Sequence, residues 1–241
     1  MPPASRTLVI VLVAVAGVLA GFLSYRSAQP PVSISAVAPP AGAAHPADLD
    51  DNTDDKTAGA PEAAPSRPIP DSVPDLTMPD LAGKQKSLRD FLGHPLIINF
   101  WATWCAPCRR EIPLLQQLRH AYQGDGLVVV GIAVDFRTAV ADYVRRQPID
   151  YALLIGEDSG LAAAEQFGMQ TVLPFSVFAD AQGRIVALKI GELHRDEADY
   201  ILTTMRGLAA GTLSLPEAHA GIAQRLRELA AERARAGAKE S

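Results

Sequence analysis

The sequence predicts an α/β domain, with a mixed central sheet flanked by helices and a short β-hairpin ahead of it. Three observations lead there. Strand-like and helix-like segments alternate through the middle of the chain, the pattern of βαβ units. A hairpin around Asp180-Ala181-Gln182-Gly183 then adds antiparallel strands. The two cysteines of the 241 residues stand together as Cys105-Ala106-Pro107-Cys108, where an apolar strand gives way to a helix.

Taken in order, Leu76 to Leu88 reads as the short hairpin, with Ala82-Gly83-Lys84 at its turn. Leu96 to Trp101 is apolar throughout except for Asn99, as in a strand buried on both faces. Pro107 to Tyr122 has helical period, with Ile112, Leu115 and Leu118 on one stripe. Gly124-Asp125-Gly126 ends it, and Leu127 to Val134 is a second buried strand. Thr138 to Arg146 follows as a helix, Tyr151 to Ile155 as a strand and Leu161 to Phe167 as a helix. Phe175 to Ala179 and Arg184 to Ile190 form the later hairpin, and Asp196 to Leu208 a closing helix with Gly211 beyond it. From Pro216 to Ala236 the chain is rich in Ala, Arg and Glu. Ile222, Leu226 and Leu229 form a helical stripe there, suited to packing on the chain's own domain.

The segments outside this core divide the chain into four parts. Residues 1–26 hold an uncharged apolar run, Thr7 to Leu23, flanked by Arg6 and by Tyr25-Arg26. At about 17 residues it just crosses a bilayer core. The alternative is a cleaved signal peptide, with Val18-Leu19-Ala20 as a small-residue cleavage site. Residues 27–70 are an Ala/Pro/Asp-rich linker with an acidic cluster from Asp48 to Asp55, too poor in aliphatic residues to order itself. A flexible chain of that length spans roughly 35–40 Å. Residues 71–210 are the folded domain and 211–241 a C-terminal helical extension. The net charge of −5 offers no basic stripe for a phosphate backbone, so no nucleic-acid partner is expected.

The cysteine pair carries the chemistry. A helix N-terminus presents unpaired N–H groups and about half a positive charge, which stabilise the first sulfur as thiolate. The second sulfur, one turn on, is within reach to close a disulfide or resolve a mixed one. Zinc would need four ligands, yet there is no second cysteine pair and none of the five histidines is spaced to complete a site. Neither a metal nor another cofactor is expected. A peroxidase would carry a threonine three residues before a lone cysteine. Ala102 stands there and Cys108 is paired. On these grounds Cys105 is the candidate nucleophile, with Pro107 suited to the first helical turn, and Cys108 the resolving thiol. Glu111, three residues after Cys108, lies on the same helix face. Spacing alone leaves it open to being a solvated glutamate beside Arg109 and Arg110. Arg109 reads as a solvated arginine or as a partner of the Cys105 thiolate. Trp104 reads as an apolar docking surface or as core packing.

The chain resembles the thioredoxin superfamily, and within it the membrane-tethered TlpA/ResA/CcmG-type thiol-disulfide oxidoreductases, from about Val73 to Ala209. The resemblance rests on Met78-Pro79-Asp80-Leu81-Ala82-Gly83, on Asn99 to Cys108, on Glu111-Ile112-Pro113, and on Leu173-Pro174-Phe175-Ser176-Val177-Phe178. It implies a thioredoxin-like fold and makes Glu111 a functional carboxylate, partly buried near the sulfurs, with a raised pKa and a proton to take from Cys108. Cytoplasmic thioredoxins carry a buried aspartate where Asn99 stands, and an asparagine cannot titrate. Pro174 is similar to the superfamily's cis-proline, which would present the Leu173 backbone to an extended substrate peptide; otherwise it is a trans proline opening an edge strand. Leu173, Pro174 and Trp104 are thus candidate substrate-binding residues.

The resemblance further implies a reductant of disulfides in partner proteins, often in cytochrome c maturation, recharged by an integral-membrane electron donor. The redox domain would stand in the periplasm, held at a bacterial inner membrane by the N-terminal segment or released there if that segment is cleaved. The Ala-Pro dipeptide lacks the histidine or cation that over-stabilises a thiolate in a strong oxidant, which favours reduction. A disulfide-introducing oxidase and a reductase serving copper-site assembly are the alternatives.

Overall fold

The computed structural model describes residues 68–170 and 172–240. The apolar anchor-or-signal segment and most of the linker expected from the sequence lie outside these residues. Among the described residues no helix is long and apolar enough to cross a membrane.

Strand β3 (Leu96–Trp101) is the axis of the domain, and all six of its residues are buried. It pairs in parallel with β4 (Val128–Ala133), which pairs in parallel with β5 (Ala152–Ile155). On its other side it pairs antiparallel with β6 (Phe175–Ala179), which pairs antiparallel with β7 (Ile185–Ile190). The order β5-β4-β3-β6-β7 is the expected mixed sheet. Ahead of it, β1 (Thr77–Pro79) and β2 (Gln85–Ser87) form the hairpin, which meets the β5 edge through an Asp80–Leu154 bridge.

Strand alternation sends side chains to two cores. Ile97, Trp101, Val129 and Ala133 face α1 (Ala106–Ala121), α2 (Arg137–Arg146), α4 (Arg195–Ala209) and α5 (Leu215–Glu240). Ile98, Phe100, Val130 and Ile132 face the hairpin residue Met78 and α3 (Glu157–Gln166). Phe100 stacks on Phe175 with ring centroids 4.2 Å apart and meets Phe167 edge-on at 5.5 Å. At the β6–β7 turn Gly183 takes φ +79°, while Asp180 Oδ1 accepts the Gln182 and Arg184 amides at 3.0 and 2.9 Å.

Two boundaries differ from the sequence reading. Helix α3 opens at Glu157, a turn before the expected Leu161. Its first turn is acidic, which complements the helix N-terminus but lacks the apolar spacing on which a periodicity argument depends. Helix α5 runs from Leu215 to Glu240, and it is part of the core. Ile222 and Leu229 are each 3% exposed, and Leu226 is half-buried. It lies beside β7, where His219 Nε2 is 3.0 Å from the Ile185 carbonyl oxygen, while the Ile185 amide donates to the Asp71 carbonyl. The β7 edge is therefore covered from both directions, which limits strand addition there.

Candidate active site

The site forms where β3 ends. Thr103 is held by Asp135, whose Oδ2 accepts the Thr103 amide at 3.0 Å and its hydroxyl at 2.5 Å. The next turn places Cys105 at the N-cap of α1, in extended conformation, with Pro107 in the first helical turn. The Cys108 amide donates to Cys105 Sγ at 3.3 Å, so a helix N–H points at this sulfur, as the sequence reading required for thiolate stabilisation. Cys105 and Cys108 are joined as a disulfide. Their exposure differs in the expected sense, 6% for Cys105 and 0% for Cys108, though Cys105 is more enclosed than a freely exposed nucleophile. Arg109 Nη1 donates to the Thr103 carbonyl at 2.7 Å, bracing the loop before the dithiol.

Glu111 is 1% exposed, deeper than the partial burial expected of it and far from a solvated-face glutamate. Each carboxylate oxygen accepts one hydrogen bond: Oε1 from Asn99 Nδ2 at 2.6 Å, Oε2 from the Leu193 amide at 2.7 Å. Asn99 Nδ2 also donates to Ser176 Oγ at 3.0 Å, possible because Asn99 and Ser176 are register partners of β3 and β6. Burial raises the Glu111 pKa to about 7. The Leu193 and Asn99 hydrogen bonds act against burial, Glu192 adds to the rise and Lys189 moderates it. Desolvation thus outweighs two hydrogen bonds, and the carboxyl is poised to gain or lose a proton near neutral pH. Helix α1 runs on through Pro113 to Ala121 and keeps Glu111 one turn beyond Cys108.

The sequence-predicted docking residues gather at the same end of the sheet. Phe175 pairs with Phe100, so the residues before β6 adjoin the end of β3. The Leu173–Pro174 bond there is cis. Pro174 is buried, Leu173 half-buried, and the Pro174 carbonyl accepts the Gly191 amide at 2.9 Å. Trp104 is 68% exposed, on the surface rather than in the core. Three participants escaped the sequence reading. Leu193 acts through its backbone and carries no side-chain signal. Ser176 needed the strand register. Asp135, one residue beyond the apolar strand run ending at Val134, could have been found as a polar residue at a strand terminus, where sites in α/β sheets gather.

Comparison with known proteins agrees with this geometry. Residues 69–188 match the AhpC/TSA family. The chain is 30% identical over 131 residues to the thiol-disulfide oxidoreductase ResA of Bacillus anthracis, covering 54% of this chain and 74% of that protein. It is 31% identical over 136 residues to the thioredoxin-like protein YneN of Bacillus subtilis, covering 54% and 76%. The chain belongs to the ResA-type thiol-disulfide oxidoreductases of the thioredoxin superfamily. A solved thiol:disulfide interchange protein of the thioredoxin family from Chlorobium tepidum superposes with a TM-score of 0.50 at 30% identity, over 59% of this chain and 99% of that one. The sequence holds one cysteine pair, Cys105 and Cys108, on which such an activity could rest.

Proposed function

We propose that this oxidoreductase reduces disulfides in partner proteins outside the cytoplasm, with apoproteins of cytochrome c maturation as the leading substrate class. The observation that carries the reading is Glu111, buried on the Cys108 face of α1 with a carboxyl that titrates near 7. In the reduced protein the Cys105 thiolate attacks one sulfur of the substrate disulfide. The substrate S–S bond breaks, a mixed disulfide forms, and the first substrate sulfur leaves as a thiolate. Glu111 takes the proton of Cys108. The Cys108 thiolate then attacks Cys105 Sγ, expels the second substrate sulfur and leaves the Cys105–Cys108 disulfide. Two electrons pass to the substrate. Trp104 and the Leu173–Pro174 backbone offer the surface for its peptide, and an integral-membrane dithiol donor returns the electrons.

The run from Thr7 to Leu23 is the proposed membrane attachment, and residues 27–70 the tether that gives the redox domain its reach. A phosphatase fused after Pro70 should be active in the periplasm and stay with the membrane on alkaline extraction. An inactive, cytoplasmic fusion would overturn the location.

Trapping tests the activity. Cys108→Ser retains the attacking sulfur and removes the resolving one, so mixed disulfides should accumulate in cells as adducts that dissolve on reduction. Haem-pathway or membrane-associated thiol proteins among them support the reductase. Adducts confined to a disulfide-generating enzyme would make the protein an oxidase.

A further inference from the structure

Helix α5 begins well beyond residue 188, where the family match ends. From it Arg233 reaches the start of α4. Its Nη1 lies 2.8 Å from Glu197 Oε1 and its Nη2 2.8 Å from Asp196 Oδ1, so one planar guanidinium spans two adjacent carboxylates. Glu197 is 1% exposed, an unusual place for a charge unless it is paired and hydrogen-bonded. Its other oxygen, Oε2, accepts the His194 amide at 3.0 Å. The preceding residue is Leu193, whose amide holds Glu111 Oε2. Two buried glutamates therefore grip consecutive amides of the turn between β7 and α4. One stands on the dithiol helix itself and the other is fixed by α5.

We infer that Arg233 is a positioning residue for Glu111, clamping the Leu193–His194 turn through Glu197 and Asp196 so that the Leu193 amide stays aimed at the Glu111 carboxylate. It makes no contact with reacting atoms. The inference rests on the reading of Glu111 as proton acceptor, and it assigns α5 a part in the redox site beyond packing.

Other groups also face Glu111 and set the background against which the clamp acts. Asn99 comes from β3 and Lys189 from β7. Glu192 comes from the turn itself, ion-paired with Arg110 of α1, and Tyr151 lies just before β5. Lys189 Nζ is also 3.6 Å from Glu197 Oε1, a second and looser countercharge for that glutamate. Removing Arg233 thus leaves Glu197 partly compensated. The expected consequence is a turn that loosens in an otherwise folded chain, since the apolar stripe of α5 is untouched. A loosened Leu193 amide favours the charged carboxylate less, so Glu111 should hold its proton to higher pH. Full loss of a hydrogen bond to a charged group would move a titration by about one to two pH units, and a loosened one by about half to one.

The test uses the oxidised full-length chain in mild detergent, labelled with ¹⁵N-leucine, so that no thiol titrates. The Leu193 amide resonance then follows Glu111, and Glu111→Gln, run alongside, separates that part of the shift from the part due to the neighbouring His194 side chain, whose Nδ1 lies 3.5 Å from Glu197 Oε2. Its midpoint should lie near 7 in the wild type and rise by about 0.5–1 pH unit in Arg233→Met. Arg233→Lys keeps the charge but cannot span both carboxylates, so it should show a smaller rise, and it serves as the readout if the methionine variant does not fold. An unmoved midpoint in Arg233→Met with only a lower melting temperature would reduce α5 to scaffolding and overturn the inference. A midpoint that moves in Arg233→Met but not in Arg233→Lys would also overturn it, by making the effect one of distant charge. Failure of the proton-acceptor reading is separate. It would be seen as unchanged resolution kinetics in Glu111→Gln, whatever the Leu193 amide does.

Discussion

At Glu111 a burial penalty and two donated hydrogen bonds oppose each other, and burial prevails. The carboxyl titrates near 7 when folded and near 4.5 in the unfolded chain. The folded state therefore binds this proton more tightly, so the associated stability is complete below about pH 4.5 and lost as pH rises through about 7. Its size is on the order of 3 kcal/mol. Urea unfolding should accordingly show the wild type losing stability between about pH 5 and 8, with the loss flattened in Glu111→Gln. Equal pH slopes in the two proteins would remove Glu111 as the source. The same substitution should slow resolution of a mixed disulfide by Cys108. General-base loss is worth on the order of 10²–10⁴ in rate, and with water kept from the site this case should reach at least about 10². Rapid-mixing kinetics that match wild type between about pH 5 and 9 would return the proton to solvent. Asn99→Asp would set a second carboxyl against Glu111 Oε1, where the asparagine Nδ2 now lies at 2.6 Å. Two carboxyls there must share one proton, so the variant should be destabilised increasingly as pH rises. A pH-independent loss would contradict that geometry.

Element by element, the sheet and the dithiol helix were legible because their signals are local. The run from Leu96 to Trp101 reads as a strand from hydropathy alone, and β3 occupies those residues. The cysteine motif could be placed because a strand end and a helix start leave few positions between them. Glu111 was ambiguous for the opposite reason. Its burial depends on the Leu193 amide, 82 residues away, and no spacing rule reports such a contact. Helix α5 falls between these cases, since its stripe was legible but its target was not. Leu229, on the same stripe as Ile222 and Leu226, is 3% exposed. Leu229→Ala should cost about 2–4 kcal/mol in denaturant unfolding, as for other buried leucines. A loss below about 0.5 kcal/mol, the range of surface substitutions, would make α5 an appendage.

Across the whole molecule, the disulfide, the buried carboxylate and the α4–α5 ion pairs sit in one folded unit, ahead of which the sequence carries an Ala/Pro/Asp-rich stretch and an apolar run. In the proposed reading, that run and stretch would set which partners the protein meets, and the dithiol the direction of electron flow. Direction is the central matter. The Cys105 sulfur receives one helix N–H, and no cation stands between the cysteines. A thiolate stabilised no further than that favours a dithiol that gives up its electrons readily, while the proposed proton acceptor, Glu111, would set the rate of the exchange and not its equilibrium. The equilibrium constant of the Cys105/Cys108 pair with glutathione measures this most directly. A reductase predicts a potential nearer the roughly −270 mV of thioredoxin, whereas a value close to the roughly −120 mV of DsbA would make the protein an oxidant and contradict the account.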